Sequence, residues 1–190
     1  SCGSVPKTSY YTLRVPPPPE AKNPRTALVL GIEHFRATET LRDDRIVFYE
    51  SPTQINFYQY HRWSADPATM LTDLVARRLD QSGAFAAVRR LPAREPMEYV
   101  VRGQVLNFEE VDYDSGVRAR VAVELALVRS RDRKTIWSLS RQAENPVQGK
   151  GVASVVDAMN AASGRLLDEL LPLAVAQVER DTQQDSKPSQ

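Results

Sequence analysis

The sequence predicts an α+β domain, a mainly antiparallel sheet with two amphipathic helices packed on one face. Three observations carry this expectation. Residues 117–128 alternate, with Val117, Ala119, Val121, Val123, Leu125 and Leu127 set against Arg118, Arg120 and Glu124, the period of a half-buried strand. Val152, Val155, Val156, Met159, Leu166, Leu167 and Leu170 recur at three- and four-residue spacing, the period of a helix with one apolar face. Asp66-Pro67 places an N-cap aspartate before a proline at the first helical position, so a second helix starts there. The predicted order is β-β-β-β-α-β-β-β-β-α.

The elements follow along the chain. Residues 1–9 are small and polar and read as a tether, residues 10–179 as one α+β domain, and residues 180–190 as a polar, disordered tail. Tyr10 to Arg14 form a short strand, stopped by Pro16-Pro17-Pro18-Pro19, a stiff extended spacer without backbone donors. Ala27 to His34 form an apolar strand, and the charged residues 36–45 a loop. Ile46–Glu50 and Gln54–Tyr58 form a hairpin around Ser51-Pro52-Thr53. The helix from Pro67 turns Met70, Leu71, Leu74, Val75 and Leu79 inward and ends at Gly83. A weak strand at 86–89 precedes a three-strand meander over 99–140, with turns near Asp114-Ser115-Gly116 and Arg131-Asp132-Arg133. The last helix starts after Gly149-Lys150-Gly151; Pro172 is expected to kink or end it, with Ala174, Val175 and Val178 as its continuation if it goes on.

Composition narrows the function classes. The 190 residues carry 25 basic and 24 acidic side chains, a net charge of +1. A nucleic-acid binder is expected to show a net basic face, so none is predicted as a partner. No apolar run approaches the roughly 18 residues that cross a bilayer, so any membrane association is a tether rather than a span.

Cys2 is the one cysteine, in Ser1-Cys2-Gly3. It has no partner for an internal disulfide and no core to pack into at a chain end. Ser-Cys matches the last two positions of a bacterial lipobox, where a signal peptide is cut and the cysteine then lipidated, so Cys2 is the expected lipidation site.

Catalytic chemistry finds little support. His34 and His61 belong to no HExxH, Cys/His zinc or GxSxG pattern, and Glu33 and His34 point to opposite faces of a strand. Gly149-Lys150-Gly151 lacks the spacing of a phosphate loop. No metal, cofactor or catalytic residue is assigned, and the chain is read as a non-enzyme. Tyr58, Tyr60 and Trp63 form an aromatic stretch. Packing is its ordinary role, with Trp63 covering the helix start, while a partner-facing patch is the other reading, since Tyr and Trp anchor interfaces.

Taken together, Cys2, Tyr10-Tyr11-Thr12-Leu13, the stretch RIVFYESPTQINFYQYHRW at 45–63, PATMLTDLVARRLDQSGAFAAV at 67–88 and YVVRGQVLNFEEVDY at 99–113 resemble the ABC-type transport auxiliary lipoprotein family. The Tyr58-to-Trp63 spacing is the most specific element. The resemblance implies a periplasm-facing accessory lipoprotein of a transport system for lipids or hydrophobic compounds. Its implied partners are an MCE-domain periplasmic protein with its ABC permease and ATPase. Only Cys2 carries over as a modified site, bearing palmitate-type acyl chains. Gly3 is not the aspartate that favours inner-membrane retention, which points to the outer membrane. A homo-oligomer is left open. Two other readings stand beside this one: a lipoprotein that binds lipid directly or assembles outer-membrane proteins, and an enzyme whose site the sequence does not show.

Overall fold

Tyr99–Val111 forms the strand on which the sheet is built. The computed structural model describes residues 6–17 and 26–185. In these, β1 (Ser9–Tyr11), β2 (Val29–Ile32), β3 (Arg36–Ala37), β4 (Arg45–Ser51) and β5 (Gln54–Trp63) precede helix α1 (Pro67–Gln81). Then come β6 (Ala87–Arg90), β7 (Tyr99–Val111), β8 (Arg118–Arg129), β9 (Lys134–Pro146) and helix α2 (Val152–Asp185).

Along one edge β7 pairs antiparallel with β8, from Tyr99 opposite Arg129 to Val111 opposite Arg118. Along its other edge three short strands meet it in turn, all parallel: β2 at Tyr99–Val101, β3 at Gln104–Val105 and β4 at Glu109–Val111. Beyond β2 lies β6, parallel to it; beyond β4 lie β5, antiparallel, and β1, parallel to β5. β9 closes the other side, antiparallel to β8. The sheet is therefore mixed and curled, which corrects the mainly antiparallel expectation and its strand order. The period-two pattern fixes which way side chains point, not which way a strand runs. The long connection through β5, α1 and β6 supplies the crossover that parallel pairing requires.

Residues directly opposite one another share a face. Val101, Gly103, Val105 and Phe108 of β7 stand opposite Leu127, Leu125, Val123 and Val121 of β8, and these make the core side. Arg118 and Arg120 point the other way, paired with Val111 and Glu109. Val121, Val123 and Leu125 are buried, as are Leu74 of α1 and Val155 of α2, so the meander and its predicted register hold.

Gly103 lies at the tightest point of this core. A Cβ built there would stand 2.5 Å from the Phe35 ring, so a side chain at 103 cannot coexist with Phe35 in place. Phe35 is held down by its backbone N–H, which donates to Thr72 Oγ1 of α1 at 3.0 Å. One helix thus positions an aromatic ring over one glycine of the central strand.

The helix α1 starts as expected: the Asp66 carboxylate accepts from Thr69 N at 3.0 Å, Pro67 follows, and Gly83 at φ +63° lies just past the end. Elsewhere the structure departs from the expectation. The presumed loop 36–45 contains β3 and a 3-10 turn at Glu39–Leu41. The α2 helix neither ends nor breaks at Pro172 and continues through 180–185, where a disordered tail was expected. Pro172 and Asp168, whose carbonyl loses its helical donor, both face solvent, so water can satisfy that carbonyl. Buried Leu170, Leu171, Ala174, Val175 and Val178 hold both sides of the proline to the core. Farther on, Asp181 accepts from Tyr99 Oη at 2.9 Å and from Arg129 at 2.8 Å, which ties the helix end to β7 and β8. Residues 186–190 and the end of the proline run, Pro18 and Pro19, lie outside the described residues.

Candidate functional site

Aromatic and titratable side chains converge at the corner shared by β1, β5, β4 and β7. A bulge creates it. Val47 pairs with Phe57 and Arg45 with Arg62, so four residues of β5 face one of β4. In a regular strand Tyr58 and His61 would point to opposite faces; the bulge brings both into the corner. Their rings meet edge to face at 5.9 Å, and Tyr58 lies 4.8 Å from Phe48. From β1, the Tyr11 hydroxyl is 2.9 Å from His61 Nδ1. Tyr11 also stands beside Trp63 in the parallel β1–β5 ladder, and its carbonyl accepts from Ser64 N at 2.6 Å. The segment that leads from residue 2 is thus clasped to the sheet by three residues.

Beneath the rings is a carboxylate. Tyr58 Oη donates to Glu110 Oε2 at 2.8 Å. Burial is the main cause that raises the Glu110 carboxyl above its ordinary value, and Asp112 adds to it. Burial likewise raises the Tyr58 hydroxyl, with the Glu110 hydrogen bond second. The adjacent Glu109 points to the opposite face, where Arg120 lies 3.6 Å away and Asn107 donates to it at 2.9 Å. Burial still leaves its carboxyl raised. Arg120 and Arg118 converge on Glu144 of β9 at 2.7 and 2.8 Å, giving the uncovered sheet face a network of charges in pairs.

The residues singled out from sequence separate. Tyr58 is half-buried and bonded to Glu110; Tyr60 is half-buried on the same strand. Trp63 is 1% exposed and packs edge-on against Phe108 at 5.2 Å. It cannot face a partner, which corrects that reading for Trp63: the chain beyond the bulge turns the ring into the core. Cys2 lies outside the described residues. His34 reaches Thr69 at 3.1 Å rather than joining His61. Tyr11, Phe48 and Glu110 were missed as members of the corner. Two successive acids within a strand, Glu109-Glu110, were the signal available, because one of them must point toward the core.

Among the described residues no group of three or more His, Cys, Asp or Glu side chains could hold a metal ion, and no helix is long and apolar enough to cross a membrane. Between sheet and helices the space lined by Leu30, Phe85, Leu125, Trp137 and Val175 amounts to about 10 Å³. An open groove of about 320 Å³ lies outside, where Val15, Pro16 and Pro17 cross α2 beside Arg14, Arg78 and Asp168. In it Val15 packs against Gly164, and Arg78 donates to the Pro16 carbonyl at 3.0 Å and pairs with Asp168.

A family model described as the ABC-type transport auxiliary lipoprotein component matches residues 11–170. The structure is similar to that of a Xanthomonas campestris protein of the DUF330 family. The TM-score is 0.83 at 23% identity, covering 92% of this chain and 99% of that one. An uncharacterized protein gives a TM-score of 0.66 at 15% identity over 93% of this chain and 99% of its own. A hypothetical protein of Chlamydia trachomatis gives 0.54 at 12% identity over 80% and 98%. At these identities the solved structures share the fold. None of the curated proteins matches.

Two expectations follow from the corner. Trp63→Ala should lower the unfolding free energy by about 3–5 kcal/mol in urea titration, through lost transfer energy and a cavity. Trp63→Phe should cost less, because Trp63 Nε1 is buried without a hydrogen-bond partner and its loss breaks no bond. Unchanged stability in Trp63→Ala would place the ring outside the core. The second expectation concerns pH. Glu110 binds its proton more tightly folded than unfolded. Its stabilising contribution is therefore full below the ordinary 4.5 and is lost as pH rises through the raised folded value. Glu110→Gln keeps an acceptor for Tyr58 without the charge. Its melting temperature relative to the parent should climb between about pH 4 and about pH 7. A difference that stays flat across that range would contradict a raised Glu110.

Proposed function

The chain belongs to the ABC-type transport auxiliary lipoprotein family. From this premise we propose that it is a non-enzymatic, periplasm-facing subunit of a system that moves lipids or hydrophobic compounds. It is anchored through a lipid on Cys2 and links an MCE-domain partner to the outer membrane. The observation that carries this reading is the family match over residues 11–170 of a fold whose space between sheet and helices, among the described residues, is about 10 Å³. Pockets that enclose small molecules run to about 300–1,000 Å³, whereas the interior space here is about 10 Å³. Such a domain acts through its surface, holding other subunits in place, and the lipid path belongs to those subunits.

The anchor sets the reach. From Cys2 to Ser9, where β1 begins, an extended chain spans about 25 Å at roughly 3.3–3.6 Å per residue. The domain therefore rides close to its membrane, and a second, longer protein has to bridge to the other one. A single acyl chain binds a bilayer only marginally, with K about 10⁴ M⁻¹, so stable attachment needs more than one chain on Cys2.

Replacing Cys2 tests the reading. With a secretory signal in front, Cys2→Ala should appear as folded protein in the soluble periplasmic fraction and fail to restore transport in cells that lack the parent protein. Recovery of the variant in the membrane fraction without any partner, or full restoration of transport, would contradict the anchored role.

A further inference from the structure

From Tyr10 to Pro16 the chain lies across the domain as an extended strap whose side chains alternate in burial. Tyr11 turns inward beside His61 and Trp63, Leu13 enters the core at 3% exposure, and Val15 packs on Gly164 of α2. Tyr10, Thr12, Arg14 and Pro16 between them are exposed. This is the two-residue period of an extended chain, with one face given to the domain and the other turned away from it. Because the inner face is fixed to β5 and α2, and Arg78 holds the Pro16 carbonyl, whatever orients the strap orients the whole domain.

The outer face has a chemistry of its own. Tyr10, at 65% exposure, is the more exposed of the two large hydrophobic residues on the described surface. A single exposed apolar side chain is ordinary, but this one is flanked by charge of one sign. Lys7 precedes it and Arg14 follows it, both exposed, and no acid occurs from Pro6 to Pro17. Neither cationic side chain has a partner among the described residues. The nearby carboxylates are already engaged: Asp44 pairs with Arg62, the residue beside Tyr10 in the ladder, and Asp168 pairs with Arg78. Arg165 lines the groove over α2 together with Arg14 and adds to the positive charge there.

We infer that the outer face of this strap is the surface on which the domain rests against an anionic phospholipid bilayer, with Tyr10 at headgroup level and Lys7 and Arg14 against lipid phosphates. The inference rests on the anchored reading above and adds an orientation to it. An extended chain from Cys2 to Tyr10 spans at most about 28 Å, so a bilayer attached at residue 2 lies within reach of this face. A tyrosine ring, apolar with a polar tip, suits the boundary between headgroups and acyl chains. Each basic side chain near an anionic surface favours the bound state about fivefold. Two cations and one ring hold a free chain weakly. A tethered chain searches only a small volume, so the same contacts suffice to orient it.

The single cysteine of the chain allows a test whose anchor does not depend on cellular lipidation. The full chain carrying Tyr10→Trp is coupled through the Cys2 thiol to a maleimide phospholipid in phosphatidylcholine vesicles, made with or without phosphatidylglycerol. On the anionic vesicles the emission of the added indole, read against the parent chain coupled in the same way, should shift to the blue. Lipids brominated high in their acyl chains should quench it. Adding Lys7→Gln or Arg14→Gln should lower the ratio of docked to undocked chains about fivefold, and raised salt should act in the same direction. The melting temperature should hold, since neither side chain has a partner within the described fold. An indole that stays unquenched on anionic vesicles, or quenching indifferent to phosphatidylglycerol and to both substitutions, would overturn the assignment. The coupling supplies the anchor, so these results are independent of whether the cell acylates Cys2, which the Cys2→Ala fractionation reads.

Discussion

Everything in this fold depends on β7 being hydrogen-bonded along both edges at once. Its 13 residues carry β8 on one side and, on the other, β2, β3 and β4 end to end. A strand so placed is paired with four neighbours, and its position is set by them rather than by its own propensity. Register is fixed with it. The packing of Phe35 over Gly103 permits one alignment of β3, α1 and β7, and a slip by one residue would turn Val101, Val105 and Phe108 out of the core.

From this constraint follow the two faces of the sheet. The core side is covered by α1 and α2, and among the described residues the space between them and the sheet, around Leu30, Leu125 and Val175, is about 10 Å³. The other side carries Arg118, Arg120, Glu109 and Glu144 in mutual contact, so its charges are largely spent on one another. What remains for recognition are edges, corners and the groove over α2. The corner of Tyr11, Phe48, Tyr58 and His61 lies where the N-terminal segment enters the domain, which makes it the point through which an anchor on Cys2 would act on the sheet. A buried carboxylate in that corner costs stability at neutral pH, and its bond to Tyr58 offsets part of the cost.

Much of this was legible in the residues. The alternation of Val121, Val123 and Leu125 with Arg120 and Glu124 specified the meander, its faces and its burial, and Asp66-Pro67 with Gly83 marked both ends of α1. Strand direction was not legible, because a period of two is the same for parallel and antiparallel neighbours. Nor was β3: Arg36 and Ala37 form a strand only because β7 offers free groups at Gln104 and Val105. Pro172 does not end α2: the helix continues through Ala174, Val175 and Val178, whose burial holds it to the core. The aromatic stretch was recognised as a unit, yet the β5 bulge divides it, sending Trp63 inward and Tyr58 toward Glu110. A bulge of that size has no marker in Gln59-Tyr60-His61, where neither glycine nor proline occurs.

The central claim is that the domain works as a docking subunit and not as a carrier. Native mass spectrometry of the unlipidated chain, incubated with excess phospholipid and freed of micelles, reads this directly. The account predicts the bare polypeptide mass, because the space between sheet and helices is about 10 Å³. A one-to-one phospholipid adduct that survives purification, and persists when the groove over α2 is filled by substitution at Gly164, would show that the interior opens to hold a lipid and would contradict it.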